Sequence, residues 1–343
     1  MGVQDKNLFF GNFARGPRNL ITDVPGVRVG HCTLDDGDIQ TGVTAIIPAP
    51  GNLFREKVPA ACHIINGFGK SAGLIQIAEL GTVETPIVLT NTFGVGTGIN
   101  ALVRRALEEN PEIGVSTSTV NATVMECNDA YLNDIRGMHV TEQHVFAALD
   151  AAGEDFAEGA VGGGRGMSCY QLKGGIGSAS RVLTIGDKTY TIGALLMTNF
   201  GRKPYLRIDG DPVGRRLADP VPQPDKGSCI IVLGTDLPLS TRQMSRICRR
   251  AQSGLARTGA YVGGGSGEIV VMFSNAARIP HFRGEDDVLS AAFLHERNLD
   301  SVFAAATDCV EESVISSLMH AETLHGIREH SRKSLADALA ELE

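Results

Sequence analysis

Apolar residues in this chain fall mostly into short β-branched runs closed by glycine, proline and polar clusters. Val27 to Cys32 alternates and predicts a strand, with Thr41 to Ile47 as its partner. Cys62–Ile65, Pro86–Thr90, Val120–Met125, Met167–Leu172, Ala179–Thr184, Tyr190–Thr198 and Ile269–Phe273 read as further strands. Helical spacing is confined to fewer stretches. One opens at the glycine loop Asn66–Lys70 and runs to about Glu79; Ile99–Glu109 carries Ile99, Leu102, Val103 and Ala106 on one face; a third starts at Thr141. Ser240-Thr-Arg-Gln243 matches a capping box, after which Met244, Ile247, Cys248, Ala251 and Leu255 share one face up to Gly259. Val288–Met319, broken near Asn298, and Ser334–Leu342 close the chain. Strands and helices alternate without strict βαβ repeats, which predicts layered α/β sheets.

One stretch organises the rest. A proline-rich approach, Asp219-Pro-Val-Pro-Gln-Pro-Asp225, leads through Lys226 and Gly227 to Ser228 and then to the buried run Cys229–Gly234. The pattern places Ser228 at a loop-to-strand junction behind a permissive glycine. A serine so placed can attack its own preceding peptide bond. The N-to-O acyl shift gives an ester, and hydrolysis frees the Ser228 α-amine. That amine titrates at about 8 and can serve as base to its own hydroxyl. An ordinary Gly-Ser turn entering a strand fits the same residues.

Composition narrows the field. A chain of 343 residues can bury one large core or two ordinary ones, and 43% hydrophobic with 20% charged residues is globular usage. A formal charge of −8 and the absence of a basic block argue against nucleic acid; Arg104-Arg105 and Arg249-Arg250 are isolated pairs on predicted helices. No stretch approaches a membrane span, and Met1–Asn7 lacks the basic and apolar regions of a signal peptide. The cysteines at 32, 62, 127, 169, 229, 248 and 309 show no C-x-x-C spacing, which predicts reduced thiols in a cytoplasmic protein.

Known constellations are mostly missing. Gly94-x-Gly96-x-Gly98 is neither a dinucleotide nor a P-loop spacing, so the glycines are read as close backbone approaches. His320, His325 and His330 are five apart, each turned about 140° from the last on a helix, and make no zinc motif. A Ser-His-Asp triad is not signalled. Glu268, two residues after Ser266, projects to the same side of an extended chain, and the pair could orient Ser228 or its amine; a solvated loop end is the plain alternative. Asn199 at a strand end could donate to an oxyanion or simply cap a turn before Gly201. Glu126, at another strand end, could hold a substrate ammonium or be a surface carboxylate.

Taken together these blocks resemble one family. Gly227-Ser228-Cys229 with its strand looks like the self-cleavage site of the D-/L-aminopeptidase–esterase and β-peptidyl aminopeptidase family. Gly263-Gly-Gly-Ser-Gly-Glu268, Thr198-Asn-Phe-Gly201, Glu126-Cys-Asn-Asp-x-x-Leu-Asn-Asp134, Asn91-Thr-Phe-Gly-Val-Gly-Thr-Gly98, Ile21–His31 and Gly174–Arg181 resemble that family's blocks in its order. The resemblance implies an αββα sandwich, layered like N-terminal-nucleophile hydrolases but differently connected. It implies a single catalytic domain, 1–343, cut between Gly227 and Ser228 into an α chain 1–227 and a β chain 228–343, assembled as a homo-oligomer of such pairs, often a tetramer. Carried over, Ser228 is the nucleophile, Ser266 and Glu268 complete the active group, Asn199 holds the oxyanion and Glu126 binds the amino group. No metal or cofactor is expected. The implied activity is release of N-terminal L-, D- or β-residues from short peptides, amides or esters through an acyl-enzyme. An amino-acid acyltransferase or amide-oligomer hydrolase on the same fold is the alternative, and a non-catalytic ligand-binding protein the distant one. Asn128 stands where members vary, which leaves the pocket's shape open.

Overall fold

The computed structural model describes residues 8, 10–217, 226–284 and 288–342; the proline-rich approach at 219–225 lies outside them. Numbered along the chain, β1 (Arg28–Asp36) and β2 (Ile39–Ile47) form the expected hairpin, Arg28 opposite Ile47 and Asp36 opposite Ile39. β2 continues antiparallel to β5 (Ile87–Asn91), which pairs parallel with β6 (Thr123–Cys127) to complete a four-stranded sheet. A parallel pair needs a crossover, and α2 (Val95–Glu109) supplies it. Alternation then divides the side chains. Val43, Ala45, Val88 and Val124 meet α2 and α3 (Glu142–Asp150), while Ile46, Ile87, Leu89, Met125 and Cys127 turn to the opposite face.

That opposite face packs on a second sheet. Its order is β13 (Ile279–Pro280), β3 (Glu56–Gly67), β12 (Gly265–Ser274), β11 (Lys226–Thr235), β10 (Lys188–Asn199), β9 (Ile176–Ile185), with β4 (Thr82–Val83) also on β3. All pairs are antiparallel except β11 with β12, which α5 (Thr241–Cys248) and α6 (Ala251–Arg257) connect. Leu195, Met197, Ile230, Val232, Ile269 and Val271 fill the space between the sheets. Leu196, Cys229, Ile231, Leu233, Val270 and Met272 pack instead on α5, α6 and the long α7 (Leu299–Met319). The layers run α, β, β, α, as expected. Burial on both faces explains why β11 reads as an unbroken apolar run, each such side chain contributing about 1.5–3 kcal/mol.

Several local expectations are corrected. Met167–Leu172 is no strand but a tight pair, β7 (Ser168–Cys169) and β8 (Leu172–Lys173), reversed through Tyr170 and Gln171 at φ 50° and 60°. The helix expected from the glycine loop begins only at Leu74 (α1, Leu74–Leu80), because Ala72 is tied to Val124 by two backbone bonds. The face from Met244 to Leu255 is one buried surface, yet the helix breaks at Arg249-Arg250. Residues 288–298 form no α-helix; Leu294 N–H is bonded to Pro238 instead. The remaining elements are α4 (Val213–Leu217), the hairpin β14 (Leu324–His325) with β15 (Ser331–Arg332), and α8 (Leu335–Ala340).

Candidate active site

The ends of β10, β11 and β12 meet at one edge of the larger sheet. Asn199 is the direct partner of Ser228 across the antiparallel pair, and on the parallel side Gly227 faces Ser266 and Ser228 faces Gly267. Ser228 is thus the third residue of a strand, one step deeper than a loop junction. Two glycines allow this closeness: a Cβ on Gly227 would lie 2.1 Å from the Asn199 carbonyl oxygen, and one on Gly267 2.5 Å from that of Phe68.

Ser228 shares the face of Ile230 and Val232, so its hydroxyl points between the sheets. β6 ends there. The Cys127 sulfur lies near the Ser228 side chain, and its thiol donates to the Met197 carbonyl at 3.6 Å. Burial pushes the Cys127 thiol well above its ordinary range, so a neutral thiol underlies Ser228.

A cavity of about 570 Å³ opens over this point, and Ser228, Asn199, Glu126 and Asn128 all line it. Asn199 is held at both ends of its carboxamide. Its Oδ1 accepts from Ser168 N at 2.9 Å, and its Nδ2 donates to the Asn128 carbonyl at 2.9 Å. An amide nitrogen carries two hydrogens, so one remains for a third partner. Glu126 is buried with its carboxylate anchored: Oε1 accepts from Lys70 N at 2.8 Å and Oε2 from the Thr92 hydroxyl. Thr92 is set by the turn that Asn91 caps through Gly94 N.

Ser266 and Glu268 stand on the neighbouring strand, opposite Gly227 and Cys229, and do not line the cavity. Each is 1% exposed, and the Ser266 hydroxyl donates to Glu268 Oε1, as their shared side of the strand predicts. Asn66 Nδ2 holds the Ser266 carbonyl from β3. Sequence reasoning missed Cys127, Thr92, Ser168 and Arg332. The first two stand inside blocks already singled out; Ser168 and Arg332 carry no local signal, because only tertiary folding brings them to the cavity.

A layered αββα hydrolase with a serine at a strand end facing an amide donor is the architecture of the N-terminal-nucleophile class. The chain belongs to peptidase family S58, whose model matches residues 19–332. It is 36% identical over 350 residues to the beta-peptidyl aminopeptidase BapA of Sphingosinicella microcystinivorans, covering 94% of this chain and 87% of that one. Its structure is similar to that of the PH0078 protein from Pyrococcus horikoshii OT3, with TM-score 0.95 and 48% identity over 100% of this chain and 98% of that one. It is also similar to the L-aminopeptidase D-Ala-esterase/amidase of Ochrobactrum anthropi, a structure described as a new variant among the Ntn hydrolase fold, with TM-score 0.93 and 36% identity over 99% and 97% of the two chains.

Proposed function

We propose that this peptidase cuts itself between Gly227 and Ser228 and then works as an aminopeptidase with Ser228 as nucleophile. The observation that carries the reading is Asn199 facing Ser228 in register at a cavity that the buried Glu126 also lines. In processing, Ser228 Oγ attacks the Gly227 carbonyl carbon, the Gly227–Ser228 C–N bond breaks, and water hydrolyses the ester to leave a Gly227 carboxylate and a free Ser228 amine. In catalysis, that amine takes the Ser228 hydroxyl proton as Oγ attacks the scissile carbonyl. The remaining Asn199 Nδ2 hydrogen receives the oxyanion. The amine's proton passes to the leaving nitrogen, and water, deprotonated by the same amine, releases the acyl group. Glu268 accepts from Ser266, which frees the Ser266 oxygen to accept from the Ser228 amine. Glu126 pairs with the substrate's ammonium, which confines cleavage to the N-terminal residue.

Among the described residues, no group of three or more His, Cys, Asp or Glu is placed to hold a metal, and no helix is long and apolar enough to cross a membrane. The seven unpaired cysteines support a reducing, cytoplasmic setting. Exposed Val288, Leu289 and Phe293 support self-association of the cut pairs. The test is intact mass under denaturing conditions. Splitting 36.3 kDa in proportion to residues 1–227 and 228–343 gives pieces of about 24 and 12 kDa, the smaller beginning at Ser228. The Ser228→Ala chain is expected to stay whole; normal cutting of that variant removes Ser228 from the nucleophile role.

A further inference from the structure

The cavity over Ser228 is lined by side chains of both charges. Glu126 lines it, and so does Arg332, carried in by the C-terminal hairpin. The guanidinium is held in a defined plane. It lies 3.6 Å from the centre of the Tyr131 ring, and His330 stacks on Tyr131 at 4.5 Å with only 8° between planes. His330 Nδ1 is also bonded to the Tyr131 carbonyl at 2.7 Å. Arg332 Nε donates to Ser168 Oγ at 3.3 Å, and Ser168 N–H is the group that fixes Asn199. Arg332 is therefore one residue removed from the proposed oxyanion donor.

Charge continues beyond it. A second cavity, of about 360 Å³, shares Gln171 and Arg332 with the first and is lined by Lys203, Arg216 and Lys333. Glu341 pairs there with Lys333, and Asp211, which does not line it, pairs with Arg216. Lys70 also lines the first cavity, with its ammonium over the Phe68 ring, but its backbone N–H bonds Glu126, which places it at the Glu126 end and not beside Asn199. A substrate whose ammonium sits on Glu126 and whose carbonyl sits at Ser228 and Asn199 extends its leaving group past Asn199. Arg332, tied to Asn199 through Ser168, stands next to that donor, and a guanidinium held flat suits a planar carboxylate.

We propose that Arg332 receives a carboxylate on the leaving-group side of the scissile bond, which makes short peptides with a carboxylate just beyond that bond the favoured substrates. The smallest is a dipeptide with a free C-terminus; an acidic second residue supplies the same chemistry. The inference rests on the aminopeptidase reading above. Arg332 selects substrates and takes no part in bond making.

The test uses the cut enzyme and three peptides, Xaa-Gly, Xaa-Gly-amide and Xaa-Asp-amide, where Xaa is the residue whose p-nitroanilide turns over fastest. Wild type is expected to favour Xaa-Gly over its amide by about tenfold or more in kcat/KM, the scale of a hydrogen bond to a charged group. Arg332→Gln is expected to bring that ratio to about one, and Arg332→Lys to keep part of it. A matching preference for Xaa-Asp-amide would identify side-chain carboxylates as a second source. Equal rates for the acid and both amides in wild type overturn the inference without any variant. A wild-type preference that survives Arg332→Gln overturns it as well. If no aminoacyl p-nitroanilide is turned over by cut enzyme, the aminopeptidase reading fails and the inference fails with it.

Discussion

Asn199 and Ser228 are direct partners across β10 and β11, and the Asn199 carboxamide is held between Ser168 N–H and the Asn128 carbonyl, each at 2.9 Å. A donor fixed at both ends needs no reorganisation when charge develops next to it. Asn199→Ala is expected to lower kcat by about 10²-fold with KM little changed. Steady-state kinetics on the cut variant check this. A loss confined to KM would make Asn199 a substrate-binding group instead.

Gly227 bears on processing through space, not chemistry. Its missing Cβ would lie 2.1 Å from the Asn199 carbonyl oxygen, far inside contact distance, so any side chain pushes β10 and β11 apart at the bond to be cut. Gly227→Ala is expected to slow self-cleavage strongly although Ser228 is intact. A time course of the uncut fraction after synthesis measures it; cutting at the wild-type rate would mean that the strand pair yields without losing alignment.

Much of this was legible in the chain. The unbroken run of β11, the alternation of β1 and β2, and the periodicity of α2 and α3 each depend on neighbours a few residues away, and each formed. Ser266 and Glu268 came together because two residues apart on a strand is already same-side geometry. What stayed hidden depends on long-range contact. Ala72 is drawn into the sheet by Val124, which delays α1, and Tyr170 and Gln171 turn with positive φ that no local residue type announces. Cys127 sits under Ser228 because two different sheets end at the same place. Spacing in one dimension holds no record of that.

Glu126 is buried, yet among the described residues its two carboxylate oxygens accept from neutral groups, Lys70 N–H and the Thr92 hydroxyl. Neither compensates its charge, which a substrate ammonium would do. Glu126→Gln keeps the shape and removes the charge. It is expected to cut kcat/KM by about 10²-fold for substrates with a free amine and to leave desamino analogues nearly unaffected. Comparing an aminoacyl p-nitroanilide with its amine-free counterpart decides it. Equal losses on both would assign Glu126 to the architecture of the site and not to recognition.

A half-buried histidine and a buried aspartate set opposing responses to acid. The His31 ring sits between the Thr44 hydroxyl at 2.9 Å and the Ala157 carbonyl at 3.0 Å, and burial lowers its pKa to about 4, partly offset by the Ala157 bond. Its folded pKa is below the unfolded value, so its contribution is whole above about 6.5 and is lost as pH falls towards 4. Asp129 is the reverse case. Burial pushes its carboxyl up to about 6 against hydrogen bonds from Thr41, Asn133 and Asn91. Its contribution is whole below about 3.9 and is lost as pH rises through 6, a change of up to roughly 3 kcal/mol. Between pH 6 and 4 the two oppose each other, and wild type hides both. His31→Asn is expected to reduce the fall in urea midpoint between pH 7 and 4.5, and Asp129→Asn to enlarge it by raising the midpoint at pH 7. Measured on the uncut Ser228→Ala background, where the chain unfolds as one piece, the two variants must move in opposite directions. Shifts of the same sign would show that packing at these positions, and not their titration, governs the acid response.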